Sequence, residues 1–167
     1  TVPQDDRGAA IVLDAEGRFA PIVFAEAALI AAARAEAAGI GIVAVTGPGS
    51  LGRIAPYARA IASAGLAGLI AVGSPPLVAP HRGNAAALGT NPVATGIPTS
   101  TTPIVVDASS SLLTKGRWGE LRARGEQVPD GVAIDADGAV TRDAELVRAF
   151  LPRGGAFGSA MGSVVEM

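Results

Sequence analysis

The sequence predicts an α/β fold, and three observations carry that reading. Apolar residues make up 49% of the 167 positions while aromatics supply only 4%, so Ala, Gly, Val, Ile and Leu must build the core. Residues 26–72 alternate between helical and strand patterns, the rhythm of a parallel α/β layer. Gly39 and Gly65 fall just past the two helical stretches, where a left-handed cap is needed. A chain of this length is one domain of ordinary size or a large piece of one.

Taken in order, residues 9–13 are apolar and β-branched and read as a strand, followed by a turn at Asp14-Ala15-Glu16-Gly17. Residues 22–24 are expected to pair back as a second strand. Residues 25–38 are Ala-rich, with Glu26, Arg34 and Glu36 spaced as a solvated helical face and Gly39 as C-cap. Residues 40–45 form a continuous apolar run, expected as a strand buried on both faces. Residues 54–64 read as a second amphipathic helix stopped by Gly65, and 66–72 as another buried strand. The rhythm then changes. Residues 75–100 are loop-rich, and 104–106 make a strand that delivers Asp107. Residues 112–124 predict a helix with Arg117, Glu120, Arg122 and Arg124 on exposed turns. Residues 135–138 are a tight turn between short strands. Residues 143–150 start like a helix, with Asp143 near the N-cap. No internal repeat is evident.

Composition excludes several classes. Net charge is −2 with no basic block, which argues against nucleic acid as a partner. With no cysteine there is no disulfide, thiol nucleophile or Cys-based metal site. The single histidine, His81, has no partner at ligand spacing, so no metal centre is expected. No apolar run suits a membrane span and no basic-then-apolar leader is present, so a cytoplasmic protein with no membrane partner is the expectation. The chain begins at Thr1, and the final run FGSAMGSVVEM stops inside an apolar pattern without a capping signal. Residues 1–167 therefore read as a single α/β domain, a fragment or processed piece of a longer protein. A threonine at the very start can in principle act as a nucleophile through its own amine, although a non-native start is the commoner reason for one.

Two glycine-rich loops concentrate the functional signal. In residues 83–98, Pro92 and Pro98 fix φ while Gly83, Gly89 and Gly96 permit positive φ. Asn91, preceding Pro92, is expected to be extended. Shaped loops of this kind commonly hold ligands. Residues 47–52 fit G-x-G-x-x-G after a strand and before a helix, the setting of a dinucleotide fingerprint. The acidic residue that should follow about 20 positions on is missing, because the next strand ends Ala71-Val72-Gly73-Ser74. The other reading is a glycine-rich turn in a chain with 22 glycines. Ser50 does not sit in a nucleophile elbow, since Pro48 stands two positions before it.

The wording of these loops resembles a known family, the malate/L-lactate dehydrogenases that do not use the classical Rossmann fold. LGTNPVATGIPT followed by PIVVDASSS is similar to the family's LGTNP and DMATS blocks. TGPGSLGRIAPYARAIA resembles NSxHFGxxGYYxxxA, with Gly52 at the family glycine, Tyr57 at an aromatic and Ser50 at the catalytic histidine. VGSPPLVAPHRG resembles TNSxPxVAPWGG, placing Ser74 at a nucleotide-contacting serine and His81 at the tryptophan. VVDASSSLLTKGRW resembles LDMATSxxAxGKV, so Asp107, Ala108 and Ser109 fall where the family touches its cofactor. VPDGVAIDADGAVTRDA is similar to IPxGWALDxxGxPTxDP. LPRGGAFGSAMGSVVEM resembles LPxGGxKGYGLALMVEL, with Phe157 in place of a cofactor-binding lysine.

The resemblance implies a mixed β-sheet flanked by helices in the sulfolactate dehydrogenase-like manner, and a homodimer; the Ala-rich, apolar composition adds the expectation of a dimer or a companion chain. It implies NAD or NADP as cofactor and a small 2-hydroxy or 2-oxo acid, or a cyclic imine, as substrate. Ser74, Asn91, Asp107, Ala108 and Ser109 would line the cofactor, Ser50 would lie at the reacting centre, and His81 would be the one imidazole able to replace the family's acid. Hydride transfer to a 2-oxo acid needs a proton shuttle titrating near neutrality, which a serine hydroxyl without a neighbouring base does not provide. A substrate carboxylate calls for an arginine, and Arg53 and Arg82 are the arginines within or beside these loops. The missing histidine and lysine leave a second reading open: a redox-silent member kept as a binding or structural subunit, or turned to non-redox chemistry.

Overall fold

A computed structural model describes residues 2–167. The chain forms two compact units, each with its own packing. Thr1, weighed above as a nucleophile, lies outside the described residues.

The first unit comprises residues 2–70 with Ala94–Asp107. Strand β1, Val2–Asp6, runs antiparallel to β2, Ala10–Asp14, with an irregularity in register between Pro3 and Asp5. Helix α1, Ala20–Ala38, then returns the chain to β3, Ile42–Thr46, which pairs parallel to β2 from Ala10↔Ile42 to Asp14↔Thr46. Ile11, Leu13 and Ala27 form a small core, with Ile30, Val43 and Val45 packed against it. Gly39 ends α1 in the left-handed conformation (φ 80°) and donates its N–H to the Ala35 carbonyl at 2.8 Å. Helix α2, Ala55–Ser63, precedes a second three-stranded sheet, ordered β4 (Gly68–Ala71), β5 (Val93–Ile97), β6 (Ile104–Ala108). Gly96 of β5 passes close to α2, and a Cβ there would overlap the Ala58 carbonyl.

The second unit comprises Ala71–Val93 and Ala108–Met167. It holds helix α3, Lys115–Ala123, the two-residue strands β7 (Ala133–Ile134) and β8 (Ala149–Phe150), and helix α4, Ala156–Glu166. Thr114 caps α3 by accepting the Arg117 N–H at 3.2 Å. Val78, Leu113, Leu121, Val128, Val147 and Phe150 pack as its main core. Trp118 meets Phe150 edge-on at 5.7 Å and donates its indole N–H to the Ala144 carbonyl at 2.8 Å, so its polar atom is satisfied against the core.

Four expectations are corrected. Residues 22–24 are not a strand but part of α1, whose start is marked by a proline at the first positions, where the missing N–H costs nothing. The partner of β2 is instead β1, whose polar sequence Val-Pro-Gln-Asp-Asp carries no strand signal. Residues 143–150 are not helical. The Asp143 carboxylate accepts the Glu145 N–H at 2.9 Å in a local turn, and Arg148 N–H then donates to Ile134 O at 2.8 Å as β8 joins β7. Strands β3 and β4, read as one buried parallel layer, belong to different sheets and alternate in exposure, with Ile42 53% and Leu69 72% exposed. The α/β class with small mixed sheets and flanking helices stands.

Candidate functional site

In the first unit, the loop after β3 carries Gly47, Gly49 and Gly52 at φ of 65°, 70° and 73°. These values put all three in the region where a Cβ is strained, so the motif is a conformational device. Ser50 lies on this loop and is exposed, as is Arg53, for which no ion pair is found among the described residues. Helix α2 begins directly afterwards. Its first free amides are taken by Asp107 at the end of β6: Oδ2 accepts from Ile54 N at 3.2 Å and Ala55 N at 2.9 Å. A carboxylate at a helix N-terminus satisfies orphan donors and complements the dipole. It also occupies the amides that a dinucleotide fingerprint would offer to a pyrophosphate. The G-x-G-x-x-G stretch is therefore a turn into a helix capped from within the chain. Tyr57 on α2 stacks at a tilt on Phe24 with 6.0 Å between centroids, and burial pushes its hydroxyl pKa up.

In the second unit, polar groups converge on the turn formed by Gly89, Thr90 and Asn91. Asn91 is 1% exposed with φ of 35°, left-handed rather than extended. Asparagine tolerates that conformation, and here its side chain repays it. Oδ1 accepts Ser74 N–H at 3.1 Å, while Nδ2 donates to Gly162 O at 2.9 Å and Glu166 Oε1 at 2.8 Å. Ser74 Oγ accepts Thr90 N–H at 2.9 Å and lies 3.2 Å from Thr90 Oγ1. The Thr90 carbonyl receives Ser109 Oγ at 2.8 Å, Ser110 N at 3.0 Å and Ser110 Oγ at 3.0 Å. Gly89 does not have positive φ. A side chain there would overlap the Ser74 carbonyl and the Asn91 amide oxygen. Gly83 and Gly96 likewise lack positive φ, so glycine in this stretch answers to close packing.

The structure thus joins Ser74, Asn91 and Ser109 in one network and leaves the other candidates outside it. Ala108 is exposed at the end of β6. His81 is exposed, its backbone N–H donating to Ser159 Oγ at 2.6 Å, and its ring faces Gly155, the residue preceding α4. A Cβ on Gly155 would come within 3.0 Å of His81 Nδ1. Arg82 has φ of 66° and is exposed. Phe157 is 69% exposed on the first turn of α4.

Two charged residues have no counterpart among the candidates read from the sequence: Arg153, whose Nε donates to the Ser109 carbonyl at 3.0 Å, and Glu166. Glu166, on the last turn of α4, uses a single carboxylate oxygen to accept both Gly89 N–H at 2.6 Å and the Asn91 amide. Those two donors hold its pKa below the ordinary glutamate range, the Asn91 amide most strongly. The available signal was spacing. Gly158, Gly162 and Glu166 recur every four residues and so share one helix face. A Cβ on Gly158 would overlap the Ser110 carbonyl, so that face is built for close approach.

Among the described residues no cluster of His, Asp or Glu could hold a metal ion, and no helix is long and apolar enough to cross a membrane.

Comparison with known proteins agrees with the loop wording. The malate/L-lactate dehydrogenase family model matches residues 2–167. A malate dehydrogenase of Pyrococcus abyssi is 38% identical over 154 residues, covering 90% of this chain and 42% of that protein. A Delta(1)-pyrroline-2-carboxylate reductase of Agrobacterium fabrum is 36% identical over 169 residues, covering 99% of this chain and 49% of that protein. The crystal structure of a dehydrogenase from Sinorhizobium meliloti superposes with a TM-score of 0.94 at 33% identity, over 99% of this chain and 49% of that one. The chain spans about half the length of the curated relatives it matches. Family match, fold and the order of the loop blocks lead to one assignment: the chain belongs to the malate/L-lactate dehydrogenase family.

Proposed function

We propose that this chain supplies the nucleotide-binding part of an NAD(P)-dependent oxidoreductase acting on a small 2-hydroxy or 2-oxo acid or a cyclic imine carboxylate. The observation that carries the reading is the convergence of Ser74, Asn91 and Ser109 on the Gly89–Thr90–Asn91 turn, within the blocks that resemble the family's cofactor loops. Relatives named as malate dehydrogenase, sulfolactate dehydrogenase and pyrroline carboxylate reductase favour this reading over a redox-silent subunit.

The polar atoms on offer suit such a cofactor. Ser74 and Ser109 are half-buried with their hydroxyls oriented by Thr90, and Ala108, which precedes Ser109, is exposed. Such a surface matches ribose and carboxamide groups, which need hydroxyl and backbone partners more than charge. Asn91 is too buried to be a contact and acts by orienting Ser74. Asp107 sits at the head of α2. Position 157 presents a phenyl ring where the family has a cation; Arg53 and Arg82 are exposed cations within or beside the loops, and Arg153, also exposed, donates to the Ser109 carbonyl at 3.0 Å. The nicotinamide would supply or accept the hydride. The protein must then move one proton at the substrate oxygen or nitrogen, and Ser50 and His81 are the candidates for that step.

Nucleotide isotherms with NADH and NADPH, followed by turnover assays with pyruvate, oxaloacetate and a cyclic imine carboxylate, test the reading. Measurable nucleotide binding with slow turnover is expected, rising in the Ser50→His, Phe157→Lys double variant. Brisk wild-type turnover abolished by His81→Ala assigns the proton to His81. No binding of either nucleotide would reject the reading, and turnover indifferent to both Ser50 and His81 would reject the assignment of these positions. The assembly proposed is a homodimer or a complex with a companion chain, supported by the exposure of Leu69, Ile104 and Val106 in one sheet. Light scattering showing a dilution-resistant monomer would count against it.

A further inference from the structure

Resting on that reading, we infer that Glu166 is a positioning residue for the nucleotide site, holding the Gly89–Thr90–Asn91 turn in the one shape that aligns Ser74 and Ser109. Glu166 Oε1 accepts from Gly89 N at 2.6 Å and Asn91 Nδ2 at 2.8 Å, so one oxygen ties both ends of a three-residue turn. Asn91 passes the constraint to Ser74 through its amide oxygen, and Ser74 Oγ in turn fixes Thr90 N–H. The Thr90 carbonyl is the acceptor for Ser109 and Ser110, which carries the constraint to the chain following β6. Each candidate cofactor contact in this unit that has a hydroxyl is therefore reached from Glu166 in a short series of hydrogen bonds.

The turn needs such a partner. Asn91 is held at φ of 35° and is 1% exposed, so its amide hydrogens are satisfied by protein acceptors, one of them the exposed Glu166. Gly162 O takes one of them and Glu166 the other. A charged acceptor makes the stronger bond, and a glutamine at the same position keeps an oxygen of the same reach without the charge. This separates a positioning role from a general contribution to folding, because glutamine should restore geometry that alanine cannot.

The test uses the full chain and two variants, Glu166→Ala and Glu166→Gln, read by amide hydrogen exchange and by NADH and NADPH isotherms. In Glu166→Ala, exchange at Gly89, Thr90 and Ser74 should quicken by about tenfold or more, while Val128 and Phe150 in the main core stay as in the wild type. Nucleotide affinity should fall by about tenfold in Glu166→Ala and recover to within about threefold of wild type in Glu166→Gln. Unchanged exchange at Gly89 and Ser74 in Glu166→Ala overturns the inference. Quickened exchange with unchanged affinity also overturns it, because the turn would then be irrelevant to binding. Equal loss of core protection throughout the unit would show a folding role only. A wild type that binds no nucleotide rejects the functional reading itself, a result distinct from any behaviour of the variants.

Discussion

The glycine loop at residues 47–52 and the turn at 89–91 use the same residue for opposite purposes. In the first, glycines stand at φ of 65° to 73° with nothing but solvent or one distant carboxylate oxygen where a side chain would go. Conformation alone demands glycine there. In the second, Gly89 has an ordinary backbone conformation and is surrounded by the Ser74 carbonyl and the Asn91 amide. Space alone demands it. Positive φ in that stretch falls instead on Asn91, a residue with a side chain that bonds to three partners. A glycine pattern thus says that something about the backbone is special, and the surroundings decide what.

The largest effect that would sharpen this contrast is chemical. If the first loop presents the reacting centre, replacing Ser50 by His together with Phe157 by Lys should raise turnover by about 10²–10⁴-fold, the usual worth of a general acid or base. Steady-state rates with a 2-oxo acid measure it, and no gain in either rate or nucleotide affinity would break the assignment of that loop. Next in size is a pair of glycine replacements. Gly89→Ala should cost about 2–3 kcal/mol by overpacking against backbone that cannot move aside, whereas Gly49→Ala should cost about 1–2 kcal/mol from left-handed strain in open space. Urea melts of the two variants decide the order, and the reverse order would refute the contrast. Removing the carboxylate that caps α2, Asp107→Ala, should lower stability by about 1 kcal/mol. The smallest effect concerns pH. Glu166 has its carboxyl pKa depressed by Asn91 and Gly89 in the folded state, so its contribution is present above the ordinary glutamate range and is lost as pH falls through the folded value. Protection of the Gly89 amide should hold at neutral pH and fail only as pH falls below the ordinary glutamate range. Loss nearer pH 6 would point to another group.

Much of the fold was legible because its signals are local. Gly39 at the end of α1, Gly65 after α2 and the turn at residues 135–138 stand where the sequence puts them. The errors have local causes too. Ile22 and Val23 are β-branched and read as strand, yet Pro21 and the burial of Val23 on α1 outweigh that preference. β1 was invisible because an edge strand with an exposed face carries no apolar alternation. At the site, Ser74, Asn91 and Ser109 were found through their resemblance to family blocks, and Glu166 was missed because its four-residue spacing from Gly162 and Gly158 marks a shared helix face without saying what that face will meet.

By itself the sequence determined the α/β class, the family and the positions of its loops, since these depend on periodicity, turn chemistry and ordered words along the chain. Tertiary structure decided which groups are spent and which are offered. It placed Asp107 on the amides of α2 and turned Asn91 inward into the left-handed region. It also brought Glu166 across a sequence gap of 75 residues to hold it. The reason is physical: a hydrogen-bond partner distant in sequence is chosen by packing, and packing is not a property of any one segment.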